Sequence, residues 1–390
     1  MKTDVSHNSR LINILLVVLT LLIIYLNAVT ADFLIIDDGD VIKRISTTIN
    51  PLGELFNGGI GRYYRPLSTI SFMLDSALFG ANPAGCHALN IFIHLCNALL
   101  LYYLVISLPT DNGNTDNYAL VASLLFAVNP LCTEAVIWIS ARPDLLSCSF
   151  FLLSMILIVR NDSPTLPFRT VLLFFTFLCA LLSKESSIGL FALWLLYYSG
   201  ERGTISLKPA ICITLALGLA LLIYFTLRNG FFLNADTGIT QVMRNDSGPS
   251  SLAMETFSAY GFYIRKLFYP FPLTFIITGI DKARYAAFFL ALLAPAAVLY
   301  HRNRHLRLPL LVIITGLIPP VLALVGRLPF SPYAERYLYL PLTGFALLIT
   351  LVLKRYLTTV PQVVVVSAIL LMAIPTVRPT AGELSPAARW

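Results

Sequence analysis

The sequence predicts an all-α polytopic membrane protein of about eleven transmembrane helices, and three observations carry that prediction. Of 390 residues, 57% are hydrophobic and only 12% are charged, whereas roughly a quarter of a soluble domain is charged. The apolar residues come in runs bounded by proline, glycine or charge: 11–30, 87–106, 118–139, 145–159, 168–182, 187–199, 209–227, 284–300, 308–325, 337–353 and 361–377. A helix crossing a bilayer needs about 20 such residues. Third, eleven spans put the basic residues together. Lys2 and Arg10, Arg160 and Arg169, Arg202 and Lys208, the stretch HRNRHLR at 301–307, and Lys354–Arg355 all fall on the cytoplasmic side with the N-terminus, as the positive-inside rule requires.

Each element follows from the same logic. The run 11–30 is too long for the apolar core of a signal peptide and many spans follow it, so it reads as an uncleaved first span. The loop 109–117 is cytoplasmic by parity yet has no Lys or Arg. The hairpin arms 168–182 and 187–199 are short for a bilayer, so their tip sinks below the external surface. Residues 256–278 are apolar enough to tempt a further span, but Arg265, Lys266, Pro270 and Pro272 interrupt them. Crossing there would also flip HRNRHLR to the outside, so the segment reads as an interfacial or re-entrant helix on the external face. A single membrane domain of residues 1–377 results, with long external segments at 31–86 and 228–283 and an external tail at 378–390. Interfacial helices are expected in the first and fourth external loops.

The net charge of +7 is dispersed, which suits topology and excludes a nucleic-acid-binding face. The cysteines Cys86, Cys96, Cys132, Cys148, Cys179 and Cys212 lie in or beside apolar runs without paired spacing. They read as small buried hydrophobes.

With topology set, the unusual polar residues gather at external helix ends. The first loop carries Asp37, Asp38 and Asp40, then Arg62 and Arg65 in GRYYRPLS. Glu134 ends the third span, and Arg142 and Asp144 occupy the turn after it. Lys184 and Glu185 form the recessed hairpin tip, and Glu335 and Arg336 open the tenth span. His87, Asn90, His94 and Asn97 share one face of the second span. That stripe fits interhelical hydrogen bonding better than ligation. Arg142–Asp144 and Glu335–Arg336 have a local ion pair as their plain alternative, and Asp40 reads as surface. Lys184–Glu185 is harder to dismiss, because burying charge is costly. Together, carboxylates and four cations (Arg65, Arg142, Lys184 and Arg336) on one wet face suggest group transfer from a phosphorylated donor. No nucleotide pool exists on that side, so the donor is expected to arrive within the bilayer as a lipid phosphate.

The ordered combination of the acidic pair, YYRPLSTISF, TEAVIWISARPDLLS, ALLSKES and AERYLYLPLTGF resembles the membrane module of the transmembrane and tetratricopeptide-repeat O-mannosyltransferases. These are members of the GT-C superfamily, with the protein O-mannosyltransferases and bacterial aminoarabinose transferases. The resemblance covers about residues 30–350. It implies a GT-C fold, a polyprenyl-phosphate sugar donor, inverting transfer and a catalytic acid in the first external loop, matched here by Asp37 and Asp38. Arg65, Glu134, Arg142, Asp144, Lys184, Glu185, Glu335 and Arg336 match its other motif positions, and His87 and His94 join them as candidate substrate-binding residues. Three departures stand out. No tetratricopeptide repeats follow the last span, Asp40 and Gly39 crowd the acidic motif, and Asn129-Pro130-Leu131-Cys132 stands where a histidine is common.

The expected reaction is transfer of a sugar to a hydroxyl of protein Ser or Thr, or of a glycan or lipid. Asp38, or Asp37, acts as base and the cations hold the leaving phosphate. No cofactor is predicted, and a divalent ion at Asp37 and Asp38 is compatible with the reaction without being obligatory. The site would face the periplasm or exterior from a cell inner membrane, or the lumen in a eukaryote. The rivals are a transporter or flippase of lipid-linked sugars, which needs polar groups along a path across the membrane, and an O-antigen polymerase or ligase, whose key residues sit in late external loops.

Overall fold

The computed structural model describes residues 2–34, 38, 64–80, 82–108, 115–160, 166–201, 205–232, 249–275, 277, 279–325 and 333–357. Thirteen α-helices form among them: α1 (Lys2–Tyr25), α2 (Pro66–Phe79), α3 (Pro83–Ser107), α4 (Thr115–Ala127), α5 (Thr133–Ile137), α6 (Arg142–Val159), α7 (Leu166–Ser183), α8 (Gly189–Gly200), α9 (Leu207–Phe232), α10 (Pro249–Phe268), α11 (Lys282–Arg302), α12 (Arg304–Val325) and α13 (Tyr339–Leu357). Single 3₁₀ turns at Leu26–Thr30, Pro130–Cys132, Ile139–Ala141, Glu185–Ile188 and Glu335–Leu338 mark helix ends.

Among the described residues, eight helices are long and apolar enough to span a bilayer, and nine if the bent α4–α5 pair is one span. Of the eleven expected spans, 361–377 lies outside the described residues. The span expected at 187–199 is the twelve-residue α8, shorter than a bilayer crossing requires. It still joins the two ends of the bundle, since Lys184 precedes it and Glu201 follows it. The segment tempting as a further span is α10, which packs on α11 and α12 and is absent from the spanning set. α2, in the first loop, is likewise an apolar helix too short to span.

Local chemistry sets the breaks that matter. Asn129 is extended (ψ 129°) before Pro130 and its side chain accepts from the Leu131 N–H, as residues preceding proline disfavour helix. The resulting 54° bend separates α5 from α4. Asn82 caps α3 by accepting from Ala84, with Pro83 in the first turn. Gly189 starts α8 where a Cβ atom would collide with the Thr315 carbonyl of α12. Only glycine allows that approach, which sinks the 183–188 turn into the bundle.

The core is one large apolar cluster spread over most helices, and the histidine–asparagine stripe of α3 runs inside it. His94 meets the Tyr339 hydroxyl at 2.7 Å and the Ala127 carbonyl at 3.1 Å. Asn97 donates to the Leu145 carbonyl (2.9 Å) and the Tyr339 hydroxyl (3.0 Å) and accepts from Ser149. Interhelical hydrogen bonding is thus what Asn97 and His94 do. The outward faces of α1, α7, α9 and α11 expose residues such as Leu15, Phe175, Leu215 and Leu293, the surface a lipid-facing helix needs.

Polar contacts collect at both ends. At the end carrying Arg10, Arg160, Arg169, Glu201 and Arg304, Arg10 meets Asp116 at 2.9 Å, and Glu201 holds Arg304 (2.5 Å) and Arg307 (3.1 Å). Asp38, Arg65, Glu134, Arg142, Lys184 and Glu335 lie at the other end of the same helices.

Candidate functional site

Four ion pairs stand next to one another at that second end, each built from segments far apart in the chain. Arg65, the residue capping α2, grips Glu185 with one edge of its guanidinium, Nε–Oε2 2.9 Å and Nη2–Oε1 2.5 Å. Lys184, in the α7–α8 turn, donates to Asp144 of α6 at 2.5 Å. Arg336 reaches Glu134 of α5 through Nη1 at 2.5 Å and through its backbone N–H at 2.8 Å. Lys266, in the last turn of α10, meets Glu335 at 2.5 Å. Neighbouring pairs sense each other: Lys184 feels Arg65 and Arg336, and Glu335 feels Glu134. Burial pushes the Lys184 ammonium below the usual lysine range, an effect Asp144 opposes.

The local ion pairs that stood as the plain alternative do not form. Arg142 does not pair with Asp144, nor Arg336 with Glu335; each partner lies on another segment. A chain that buries charge must find an opposite charge in three dimensions, and adjacent residues on a helix start point in different directions.

Arg142 also departs from its expected role as a phosphate ligand. It is completely buried and fully engaged. It pairs with Asp75 of α2 at 2.5 Å, donates from Nε to Asn90 Oδ1 (2.7 Å), and reaches the carbonyls of Ser71 (3.3 Å) and Cys86 (3.1 Å). Phe72 lies under the guanidinium with its ring centre at 4.7 Å. Arg142 therefore ties α2 to α3 and α6. His94, expected to bind substrate, is equally enclosed, both ring nitrogens being held within the core. His87 is buried, and neither ring nitrogen makes a hydrogen bond of ordinary geometry. Its surroundings are the backbone of Ala31, Asp32 and Ile137 and the charge of Arg142, rather than the row of ion pairs.

Asp38 sits in a cradle. Oδ1 accepts from the Ser140 N–H (2.8 Å) and hydroxyl (2.6 Å), and Oδ2 accepts from the Leu34 N–H (3.1 Å). Its side chain is fully buried. Burial raises its pKa from 3.8 to about 6 against those hydrogen bonds and one from the Ile139 backbone, which favour the ionised form. Asp37 and Asp40 lie outside the described residues. The cradle adjoins the ion pairs through Trp138, two residues before Ser140: Trp138 packs with Leu34, Ala141 and Phe275, and the Arg336 guanidinium lies 4.6 Å over its ring.

Sequence reasoning missed four contributors. Asp75 is a lone acid in the apolar α2, a signal that was present. Lys266 stood out only as an obstacle to a span, yet it donates to Glu335 and to the carbonyls of Pro270 and Pro272. Ser140 and Tyr337 carried no signal. Among the described residues no group of three or more His, Cys, Asp or Glu is arranged to hold a metal ion.

No family model matches the chain. Over 144 residues it is 38% identical to "Protein O-mannosyl-transferase TMTC1" of Homo sapiens, covering 34% of this chain and 16% of that protein. Over 187 residues it is 30% identical to "Protein O-mannosyl-transferase F38B6.6" of Caenorhabditis elegans, 45% of this chain and 26% of that protein. The matched stretches thus span about a sixth to a quarter of these relatives' length. Two solved structures share the fold at low identity. ArnT from Cupriavidus metallidurans bound to undecaprenyl phosphate gives a TM-score of 0.51 at 14% identity, over 87% of this chain and 60% of that one. The Archaeoglobus fulgidus oligosaccharyltransferase AglB in complex with an inhibitory peptide and a dolichol-phosphate gives 0.54 at 13%, over 98% and 56%. The chain shares its polytopic helical fold with these two enzymes, and over the matched stretches its sequence is similar to the O-mannosyl-transferases.

Proposed function

We propose that this chain is an integral-membrane glycosyltransferase moving a sugar from a polyprenyl-phosphate donor to a hydroxyl acceptor, with inversion, on the extracytoplasmic face. The acceptor is a protein Ser or Thr, or a hydroxyl of a glycan or lipid. The observation that carries this is the buried Asp38 carboxylate beside a row of ion pairs in which Lys184 and Arg336 retain unused donors. ArnT and AglB, bound to undecaprenyl phosphate and to a dolichol-phosphate, support a lipid phosphate as donor.

Counting donors selects the phosphate ligands. Arg142 has partners for each guanidinium nitrogen, and the three N–H groups of Lys266 go to Glu335, Pro270 and Pro272. Lys184 uses one of its three on Asp144. Arg336 uses Nη1 on Glu134, leaving Nη2 and Nε for a phosphate oxygen. Lys184 and Arg336 are therefore the ligands, with Asp144 and Glu134 holding them in place, and the Arg65–Glu185 and Lys266–Glu335 pairs flank them.

In the reaction the acceptor hydroxyl oxygen attacks the anomeric carbon while the bond from that carbon to the phosphate oxygen breaks. The electron pair leaves on the phosphate, where Lys184 and Arg336 stabilise the charge. The hydroxyl proton passes to the first-loop acid, Asp38 or its neighbour Asp37. Asp38 Oδ2 accepts from the Leu34 N–H and keeps lone-pair capacity for that proton. A pKa near 6 makes it a stronger base than an ordinary carboxylate of about 4, nearer the value an efficient base needs.

The test is transfer from a radiolabelled polyprenyl-phosphate hexose to peptide and glycan acceptors by purified protein. Asp38→Asn or Asp37→Asn is expected to lower the rate by about 10²–10⁴-fold. Transfer at the wild-type rate by both variants sinks the assignment of the base.

A further inference from the structure

The two cations left to receive a phosphate share one aromatic ring. Lys184 Nζ lies 5.1 Å from the centre of the Tyr337 ring, and the Arg336 guanidinium carbon lies 4.9 Å from it. Tyr337 belongs to the 3₁₀ turn Glu335–Leu338, is half-buried, and packs on the main apolar cluster. Its backbone N–H is fixed to the Ala334 carbonyl at 3.3 Å. The ring is therefore anchored where both cations can rest on it.

We propose that Tyr337 is the positioning residue of the donor-phosphate clamp. Lys184 and Arg336 come from opposite halves of the chain and repel each other. Each has one carboxylate, which fixes its base but not the aim of its unused N–H groups. A ring face is negative and non-directional, so it attracts both cations without consuming a donor. A carboxylate or amide there would accept the N–H groups the phosphate needs. Trp138 fixes Arg336 a second time, at 4.6 Å, whereas among the described residues Tyr337 is the one ring within cation–π reach of Lys184. Lys184 therefore depends on Tyr337 more than Arg336 does. This assignment rests on Lys184 and Arg336 holding the donor phosphate, and the two ideas fail separately.

The experiment measures kcat and KM for the polyprenyl-phosphate sugar, and binding of undecaprenyl phosphate in detergent, for Tyr337→Phe, Tyr337→Leu, Tyr337→Met and Lys184→Gln. Phe keeps the ring and is expected to stay within about twofold of wild type. Leu and Met are expected to raise donor KM and weaken undecaprenyl phosphate binding about tenfold, the effect of losing two cation–π contacts. The acceptor KM stays unchanged. Monodispersity on size-exclusion chromatography identifies which of the Leu and Met variants is folded, and the folded one decides. Unchanged donor KM and lipid binding in that variant, with Lys184→Gln impaired, overturns the role of Tyr337 alone. A Phe variant as impaired as Leu also overturns it, because the hydroxyl would then be what matters. Unchanged donor KM in Lys184→Gln overturns the phosphate clamp itself, and Tyr337's role with it.

Discussion

Ser140→Ala isolates the chemistry assigned to Asp38. The Ser140 hydroxyl donates a short hydrogen bond to Asp38, at 2.6 Å, and the Ser140 N–H remains after substitution. A hydrogen bond to an ionised group contributes about 1.5–3 kcal/mol, so its loss raises the Asp38 pKa by about 1–2 units at about 1.4 kcal/mol per unit. The wild-type value of about 6 then moves to about 7–8. At pH 6.5 the ionised fraction falls from about 76% at a pKa of 6 to about 9% at a pKa of 7.5. The assay is kcat/KM for the acceptor from pH 5 to 9 at saturating donor. The expected result is an acid limb near 6 in wild type, displaced upward in Ser140→Ala, with rates converging by about pH 9. An unmoved limb in Ser140→Ala refutes Asp38 as the titrating base. Stability carries the opposite sign. A carboxyl whose folded pKa is raised binds its proton more tightly in the folded state, so its contribution is fully present below 3.8 and is lost as pH rises through about 6.

The remaining predictions concern the scaffold around that chemistry. Arg142→Met leaves Asp75 buried without its cation and is expected to destabilise the protein by about 3–5 kcal/mol; Arg142→Met with Asp75→Asn recovers most of the loss in thermal unfolding. Lys266→Met and Glu335→Gln are each expected to lower transfer and stability, with a double-mutant coupling above about 0.5 kcal/mol; strictly additive losses would deny that the α10 end is fixed to the site through this pair. Glu201→Gln, at the far end of α8 from Lys184, is expected to cost about 1 kcal/mol of stability and leave the pH–rate profile unchanged.

The polar end of the bundle was legible because charge in so apolar a chain is expensive and therefore sparse. Asp38, Arg65, Glu134, Lys184 and Glu335 stood out for that reason, and parity brought them to one side. Partner choice was not legible. Lys266 and Glu335 are 69 residues apart, Ser140 and Asp38 are 102 apart, and nothing local distinguishes Asp75 from Asp144 as the partner of Arg142. The bland reading of the α3 stripe was correct at His94 because a histidine deep within a span finds backbone and hydroxyl partners before it finds a ligand. Gly189 gave no signal at all, since its purpose is the proximity of the Thr315 carbonyl on a helix more than a hundred residues away.

The most direct measurement follows both halves of the donor at once. Purified protein in liposomes receives a polyprenyl-phosphate sugar labelled in the sugar, with an acceptor supplied on one side. A glycosyltransferase releases polyprenyl phosphate and labelled acceptor in equal amounts, with inverted anomeric configuration, and both fall together in Asp38→Asn. Intact donor appearing in the opposite leaflet, with no cleavage of the sugar–phosphate bond, would contradict transfer and support transport instead.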